Sequence, residues 1–545
     1  MTTRRSFLKT AAAAVPLSIY AGNASGRDLP AQGFAPHPFI ENHPEAVFIM
    51  RTGAGEKTDH EAVRNAGLEF SRNVIVKKQS GGIPFTADIP VKPNMKSGLT
   101  SKMPIDDLIG MGTDPYFVEG VINGIKETGA RGKQFKLREV NHSRGWEPYG
   151  YLAMAQRTGA DLRYDLGHEV SKLEEGRDFN WTNIKDGVWY KQIPHLEPVN
   201  TKGSWLLNIS KLKGHGMGLT LCCKNIQGTI AHNYQQFCCP FDDDMRIDPA
   251  HMHANAKEVI KKNHRRHVSD GIPRWDKPGK WGGLWQETWA QRTLDHLSAT
   301  PSGLCVIEAV YSRDGNGSTS GPHPLSQKHE YSESRADSKT GLPKDYMSNL
   351  IIFGLNPFRT DIIGKWIGGQ EPGNFGLFHL AIERGMLDVL NPLDIPVYLW
   401  EDGVAKRLPL SSFERTPLVN YYLTRNYDGQ SEHMYHLCDE PFDYSAMPGI
   451  GSLNLSLKPE LHSLAGNGAL FNDGQLPVEF NLPKNGPAQV ELLRKSGNTV
   501  MTLAEGNYAA GSHMATIPTK SLSSGDYTIV LRFQGSSTQT KLTVS

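Results

Sequence analysis

Over the first two thirds of the chain, short apolar runs bounded by polar turns alternate with stretches of helical period. AVFIM leads into HEAVRNAGLEF, and NVIVKK and DIPVKPNM follow. VFIM and DIPVKPN read as strands, the second ending at Pro93 and Asn94, where an open α/β sheet presents its ligand-facing loops. In GTDPYFVEGVINGIKETGA, Thr113 or Asp114 caps and Pro115 opens a helix. Its apolar face is Val118, Val121, Ile122 and Ile125, and Gly129 stops it. FKLREV predicts a strand and residues 150–158 a second helix. SWLLNIS predicts a strand with a basic turn after it, KLKGHG, and LTLCC a buried strand ending in a glycine turn. Residues 248–267 have helical composition. LCVIEAVYSRDGNG predicts a buried strand with an acidic, glycine-rich exit, and NLIIFGLNPFRTDIIGKWIG a strand followed by a helix.

Strands that alternate with helices imply an α/β fold, a layered and mostly parallel sheet domain over residues 45–390. A His- and Trp-rich stretch at about 230–289 interrupts it. The regular pattern fades over 391–474, a linking or covering region. After residue 475 the text changes to short alternating strands split by Gly, Ser and Asn turns, which predicts a small C-terminal β-sandwich over 475–545. KSGN within it is a hairpin signal.

Length and charge narrow the function. A chain of 545 residues exceeds one compact core. Its 58 basic and 57 acidic residues leave a formal charge of +1, so no global field draws it to nucleic acid. At the N-terminus, Arg4 and Arg5 precede an apolar run at 11–21 and small residues near Gly22 and Ala24. This order predicts an export signal over 1–24, with RRSFLK resembling the twin-arginine (Tat) signal. The mature protein is therefore expected outside the cytoplasm, periplasmic or at the cell surface, after handling by the Tat export machinery.

The candidate chemistry gathers at strand exits. Lys211, Lys213 and His215 occupy the predicted basic turn, where ammonium groups and peptide N–H groups meet a phosphate or carboxylate; a solvated loop is the plainer reading. Lys224 and Asn225 follow the buried LTLCC run, and a buried lysine needs a partner or changes its pKa. Glu308, and Asp314 in RDGNG, suit a cation or a base, or a plain turn. Four of the six cysteines form two adjacent pairs, Cys222 with Cys223 and Cys238 with Cys239. They admit a disulfide between the pairs, a soft metal or Fe–S cluster, or inert core, and no C-x-x-C spacing favours the cluster. Asp361 is a further candidate metal ligand. His251, His253, His264 and His267 lack the H-E-x-x-H spacing and read as solvated or capping. Trp281, Trp285 and Trp289 read as a helix packing stripe. No G-x-S-x-G, Walker A or Rossmann glycine motif appears, which argues against the common hydrolases, NTPases and dinucleotide enzymes.

KPNM, TDPYFVEGVINGIKETGA, LLNISKLKGHGMGLTLCCKNIQG, IEAVYSRDGNGSTSGP and NLIIFGLNPFRTDIIGKWIG together resemble the DUF362 family of α/β proteins. The resemblance implies a site built from Asn208, Lys211, Lys213, His215, Lys224, Asn225 and Gly228. Many relatives carry ferredoxin-like cysteine motifs that this chain lacks. Residues 475–545, through VELLRKSGNTVMTLAEG and LSSGDYTIVLR, resemble FlgD-like immunoglobulin-like domains and bacterial sorting domains, which implies a contact at the cell surface or outer membrane. The expectation is an enzyme acting on a small anionic or carboxylate-bearing molecule. In it, His215, Lys224 and Asp314 are catalytic, while Asn94, Asn208, Lys211, Lys213 and Asn225 bind substrate. Two alternatives stand beside it: an envelope ligand-binding protein, and a redox or Fe–S protein using the paired cysteines.

Overall fold

The computed structural model describes residues 32–95, 109–140, 146–215, 218–235, 241, 247–276, 282–315, 343–418, 422–425, 430–433, 441–444 and most of 475–544. Eleven strands form its main sheet. In chain order they are β1 (Val47–Arg51), β2 (Ile89–Pro93), β3 (Phe135–Leu137), β4 (Asp161–Leu162), β5 (Leu207–His215), β6 (Gly218–Thr220), β7 (Leu304–Arg313), β8 (Asp345–Tyr346), β9 (Leu350–Gly354), β10 (Val397–Glu401) and β11 (Val404–Arg407). Across the sheet the order is β11-β10-β1-β9-β7-β5-β2-β3-β4, with β6 beside β5 and β8 beside β7. The pairings β7 to β5, β5 to β2, β2 to β3, β3 to β4 and β10 to β1 are parallel. β9 runs antiparallel between β7 and β1. The parallel strands therefore all end on one edge, the edge that binds ligands in open α/β sheets.

Helices cover both faces, which explains why the strands read as continuous apolar runs. One face packs Phe48, Val91, Leu207, Val306 and Phe353 under α1 (His60–Val74), α2 (Pro115–Glu127) and α3 (Tyr151–Thr158). The cap of α2 is Asp114, whose carboxylate accepts the Tyr116 N–H. A Cβ at Gly120 would stand 2.0 Å from the Arg64 carbonyl oxygen, so only glycine lets α1 and α2 approach this closely. The other face packs Ile49, Leu212, Ile307 and Ile352 under α6 (Gly283–Ala299), α7 (Pro357–Ile367) and α8 (Gly376–Glu383).

Four local expectations change. The basic turn is strand: β5 continues through His215, so Lys211 and Lys213 lie inside the sheet. The LTLCC strand is short; β6 returns on β5 as a hairpin, and the chain then coils into the helical turn α4 (Cys222–Asn225). Apolar residues suit either element, and here the fold leaves room only for a turn. The sheet also continues past residue 390, because β10 pairs with β1. In the His- and Trp-rich stretch, the long helix α5 (Ala256–Ser269) starts later than its composition suggested, after a separate 3-10 turn at Pro249–His251.

The C-terminal region forms a small β unit. A two-stranded and a four-stranded antiparallel sheet share one core of Val478, Phe480, Val490, Leu492, Ile517, Ile529 and Leu531. The strands on either side of KSGN pair antiparallel, with the Arg494 N–H donating to the Asn498 carbonyl at 2.9 Å; Lys495 and Ser496 lie outside the described residues.

Candidate functional site

Two buried ionic clusters lie side by side, one midway along β5 and β7 and one at the ends of β2 and β3. In the first, Lys211 donates to both oxygens of Glu308, at 2.8 and 2.6 Å, and its ammonium lies 3.3 Å from the centre of the Tyr311 ring. Both partners are fully buried. Burial pulls the Lys211 ammonium below its ordinary range and lifts the Glu308 carboxyl above its own, while their attraction opposes both shifts. Beside them, the Tyr311 hydroxyl lies 2.8 Å from the Ile109 carbonyl and 2.7 Å from Asp114 Oδ2. A phenol has one hydrogen to donate. A protonated Asp114 resolves the count by donating to Tyr311, which donates on to Ile109. Burial pushes this carboxyl up in the same sense, against the Tyr311 hydrogen bond and Lys211. Lys213 donates to the Met111 carbonyl. His215 ends the strand, half-buried.

The second cluster centres on Lys92, at the end of β2. Its ammonium donates to Glu139, to the Pro93 carbonyl at 2.6 Å and to Asn225 Oδ1 at 3.0 Å. Burial depresses Lys92, Glu139 raises it, and Lys224 nearby depresses it further. Gly228 makes room for Glu139: a Cβ there would meet the carboxylate at 2.1 Å. Lysine only donates, so it orients every amide in turn. Asn225 must turn Oδ1 to Lys92, which sends its Nδ2 to the Lys92 carbonyl at 2.9 Å and to Asn208 Oδ1 at 2.8 Å. Asn208 then donates to the Cys222 carbonyl at 3.1 Å. Asn94 donates Nδ2 to Asn225 Oδ1 at 3.2 Å, and its own Oδ1 is buried with no hydrogen-bond partner among the described residues.

The turn that carries Lys224 and Asn225 is pinned from α7. Asp361 accepts the N–H groups of Cys222 and Cys223 at 2.7 Å each. Burial pushes its carboxyl up to about 7 despite those donors. Both thiols are buried and pushed well up by burial. Cys238 and Cys239 lie outside the described residues. Among the described residues no group of three or more His, Cys, Asp or Glu side chains is placed to hold a metal ion. Asp314 accepts the Lys344 N–H at 2.6 Å and so fastens the exit of β7 to the segment entering β8.

Of the expected site residues, the structure gathers Asn94, Asn208, Lys224 and Asn225 around Lys92, and places Lys211 and Lys213 on the adjoining strand. Asp361 stands behind this group as a support. Residues the sequence reading did not single out are Lys92, Glu139, Tyr311 and the Arg313–Asp345–Lys57 group. In that group Asp345 binds Arg313 at 2.6 and 2.8 Å and Lys57 at 3.0 Å. Lys92 stood in view within KPN; nothing local marks Glu139 or Tyr311. The fully buried His267 is neither solvated nor a cap, since it bridges Glu287 at 2.6 Å and Glu383 at 2.8 Å.

The fold and site together define an α/β protein with a buried polar cluster toward the edge where its parallel strands end. Residues 89–327 match the family described as a domain of unknown function, DUF362. The matched segment runs from β2 past β7 and contains both ionic clusters, while β1, β9, β10 and Asp361 lie outside it. No curated protein matches the chain.

Proposed function

We propose that this protein is an exported enzyme that binds a small anionic or carboxylate-bearing molecule above the ends of β2 and β5. The observation that carries this reading is the buried, oriented network of Lys92, Asn94 and Asn225 at the end of β2, with the Lys224 charge near enough to depress Lys92. Such a network is costly to bury and is expected where a ligand is recognised. Lys224 and Lys213 supply positive charge to the anion, and His215, at the less buried end of β5, is the acid or base. Asn225 and Asn94 orient the substrate. Lys211, held by Glu308, acts through its field and its hold on that carboxylate. Asp314 keeps the β7 exit in place.

Replacing Lys224 by Met tests the assignment. The variant should keep its melting temperature within a few degrees and lose at least about tenfold in affinity for carboxylate or phosphate ligands in calorimetry. A folded variant with undiminished binding would sink it. Incubating the wild type with a mixture of small acids and analysing products separates an enzyme, which changes a component, from a carrier, which returns its ligand intact. Export is tested by Arg4→Lys with Arg5→Lys: the double variant should accumulate uncleaved in the cytoplasm. Among the described residues no helix is long and apolar enough to cross a membrane.

A further inference from the structure

We propose that the molecule bound at this site carries a hydrogen-bond donor, a hydroxyl or an amine, in addition to its anionic group, and that Asn94 Oδ1 receives it. The inference rests on the small-anion reading above and narrows its substrate class to hydroxy or amino acids and their phosphate counterparts.

Asn94 brings four polar groups to the end of β2, and three are taken. Its backbone N–H donates to Thr113 Oγ1 at 2.8 Å, its carbonyl accepts the Thr113 N–H at 2.8 Å, and its Nδ2 donates to Asn225 Oδ1 at 3.2 Å. Among the described residues Oδ1 alone is left without a partner, on a residue 6% exposed. Rotating the Asn94 amide does not relieve it, because two amide oxygens would then face each other at the Asn225 contact. Rotating Asn225 does not help either. Its NH2 would then face the Lys92 ammonium, and its oxygen would face the Lys92 carbonyl and Asn208 Oδ1. The lysine thus fixes an acceptor in place at the edge of the sheet where ligands bind.

A neutral amide oxygen attracts an O–H or N–H and repels a carboxylate or phosphate oxygen. The neighbouring ammonium groups do the reverse. One molecule satisfies both only if it has an anionic end and a donor. Burial sharpens the choice, since a ligand without the donor leaves Oδ1 with no partner, and sites built around a buried polar group reject analogues that lack its complement.

Calorimetric titration of the full mature chain with matched acids tests this. The probes are lactate, 2-fluoropropionate and propionate, then glycolate beside acetate, and alanine beside propionate. 2-Fluoropropionate is close in size to lactate and cannot donate. The expected result is that at least one donor-bearing acid binds and its donor-free partners bind about tenfold or more weakly. Asn94→Leu, which removes the acceptor, should lose the preference while remaining folded by circular dichroism. Equal affinity for lactate, 2-fluoropropionate and propionate in the wild type would overturn the inference and leave the anion site standing. If none of the acids binds, the small-anion reading fails and this inference fails with it.

Discussion

Gly228 holds its place because Glu139 occupies the space where a side chain would begin. Gly228→Ala should push the carboxylate off Lys92 and leave a buried ammonium short of its partner, at a cost of roughly 3 kcal/mol in urea unfolding. Asp114 makes a different prediction at the same scale. A proton kept on Asp114 lets the single hydrogen of Tyr311 go to the Ile109 carbonyl, so the infrared difference spectrum of wild type minus Asp114→Asn at pH 7 should contain the carbonyl stretch of a neutral carboxylic acid. A band of unchanged intensity in the variant would refute the assignment. Residue types were legible here in part. Lys211, Lys213, Lys224 and the asparagines stand out because they interrupt apolar text. Glu139 and Tyr311 do not, since a glutamate just past a short strand and a tyrosine in a buried one are ordinary until a lysine faces them from another strand.

Elements set which of these groups meet. α4 is one helical turn, too short to persist by its own hydrogen bonds, and Asp361 on α7 supplies acceptors for two of its open N–H groups. Asp361→Ala should destabilise the protein by roughly 2–4 kcal/mol and weaken ligand binding by loosening Lys224 and Asn225; calorimetry alongside denaturation reads both. The junction of α5, α6 and α8 is held by His267. Burial alone would depress that imidazole, but hydrogen bonds to Glu287 and Glu383 raise it to about 9. The folded state therefore keeps a proton that the unfolded chain releases near 6.5. This contribution is complete below pH 6.5 and is lost as pH rises through about 9. The melting temperature should fall between pH 7 and pH 9.5, and His267→Gln should flatten that part of the profile. From the sequence, α2 and its Asp114 cap were readable because period and cap agree. β5 differs from that reading, since a K-L-K-G-H run carries the signals of a loop and only acceptors supplied by other elements, the Glu308 carboxylate and the Met111 carbonyl, let Lys211 and Lys213 remain in a strand.

At the scale of the whole molecule, the C-terminal β unit has an apolar core of its own. Removing residues 475–545 should leave ligand affinity within about twofold, because every member of the two ionic clusters lies in the α/β region; a large loss would show that the β unit shapes the site. The alternating text of 45–390 and the change in period after 475 determined an α/β region followed by a small β region, since each period follows from how many faces of an element are buried. The antiparallel β9, the entry of β10 beside β1 and the pairing of Lys92 with Glu139 were decided by tertiary structure alone. Strand direction and ion pairing depend on which segments become neighbours, and the residues involved lie tens to hundreds of positions apart. Local sequence states which groups are costly to bury, and only the assembled sheet provides the partners that make burying them tolerable.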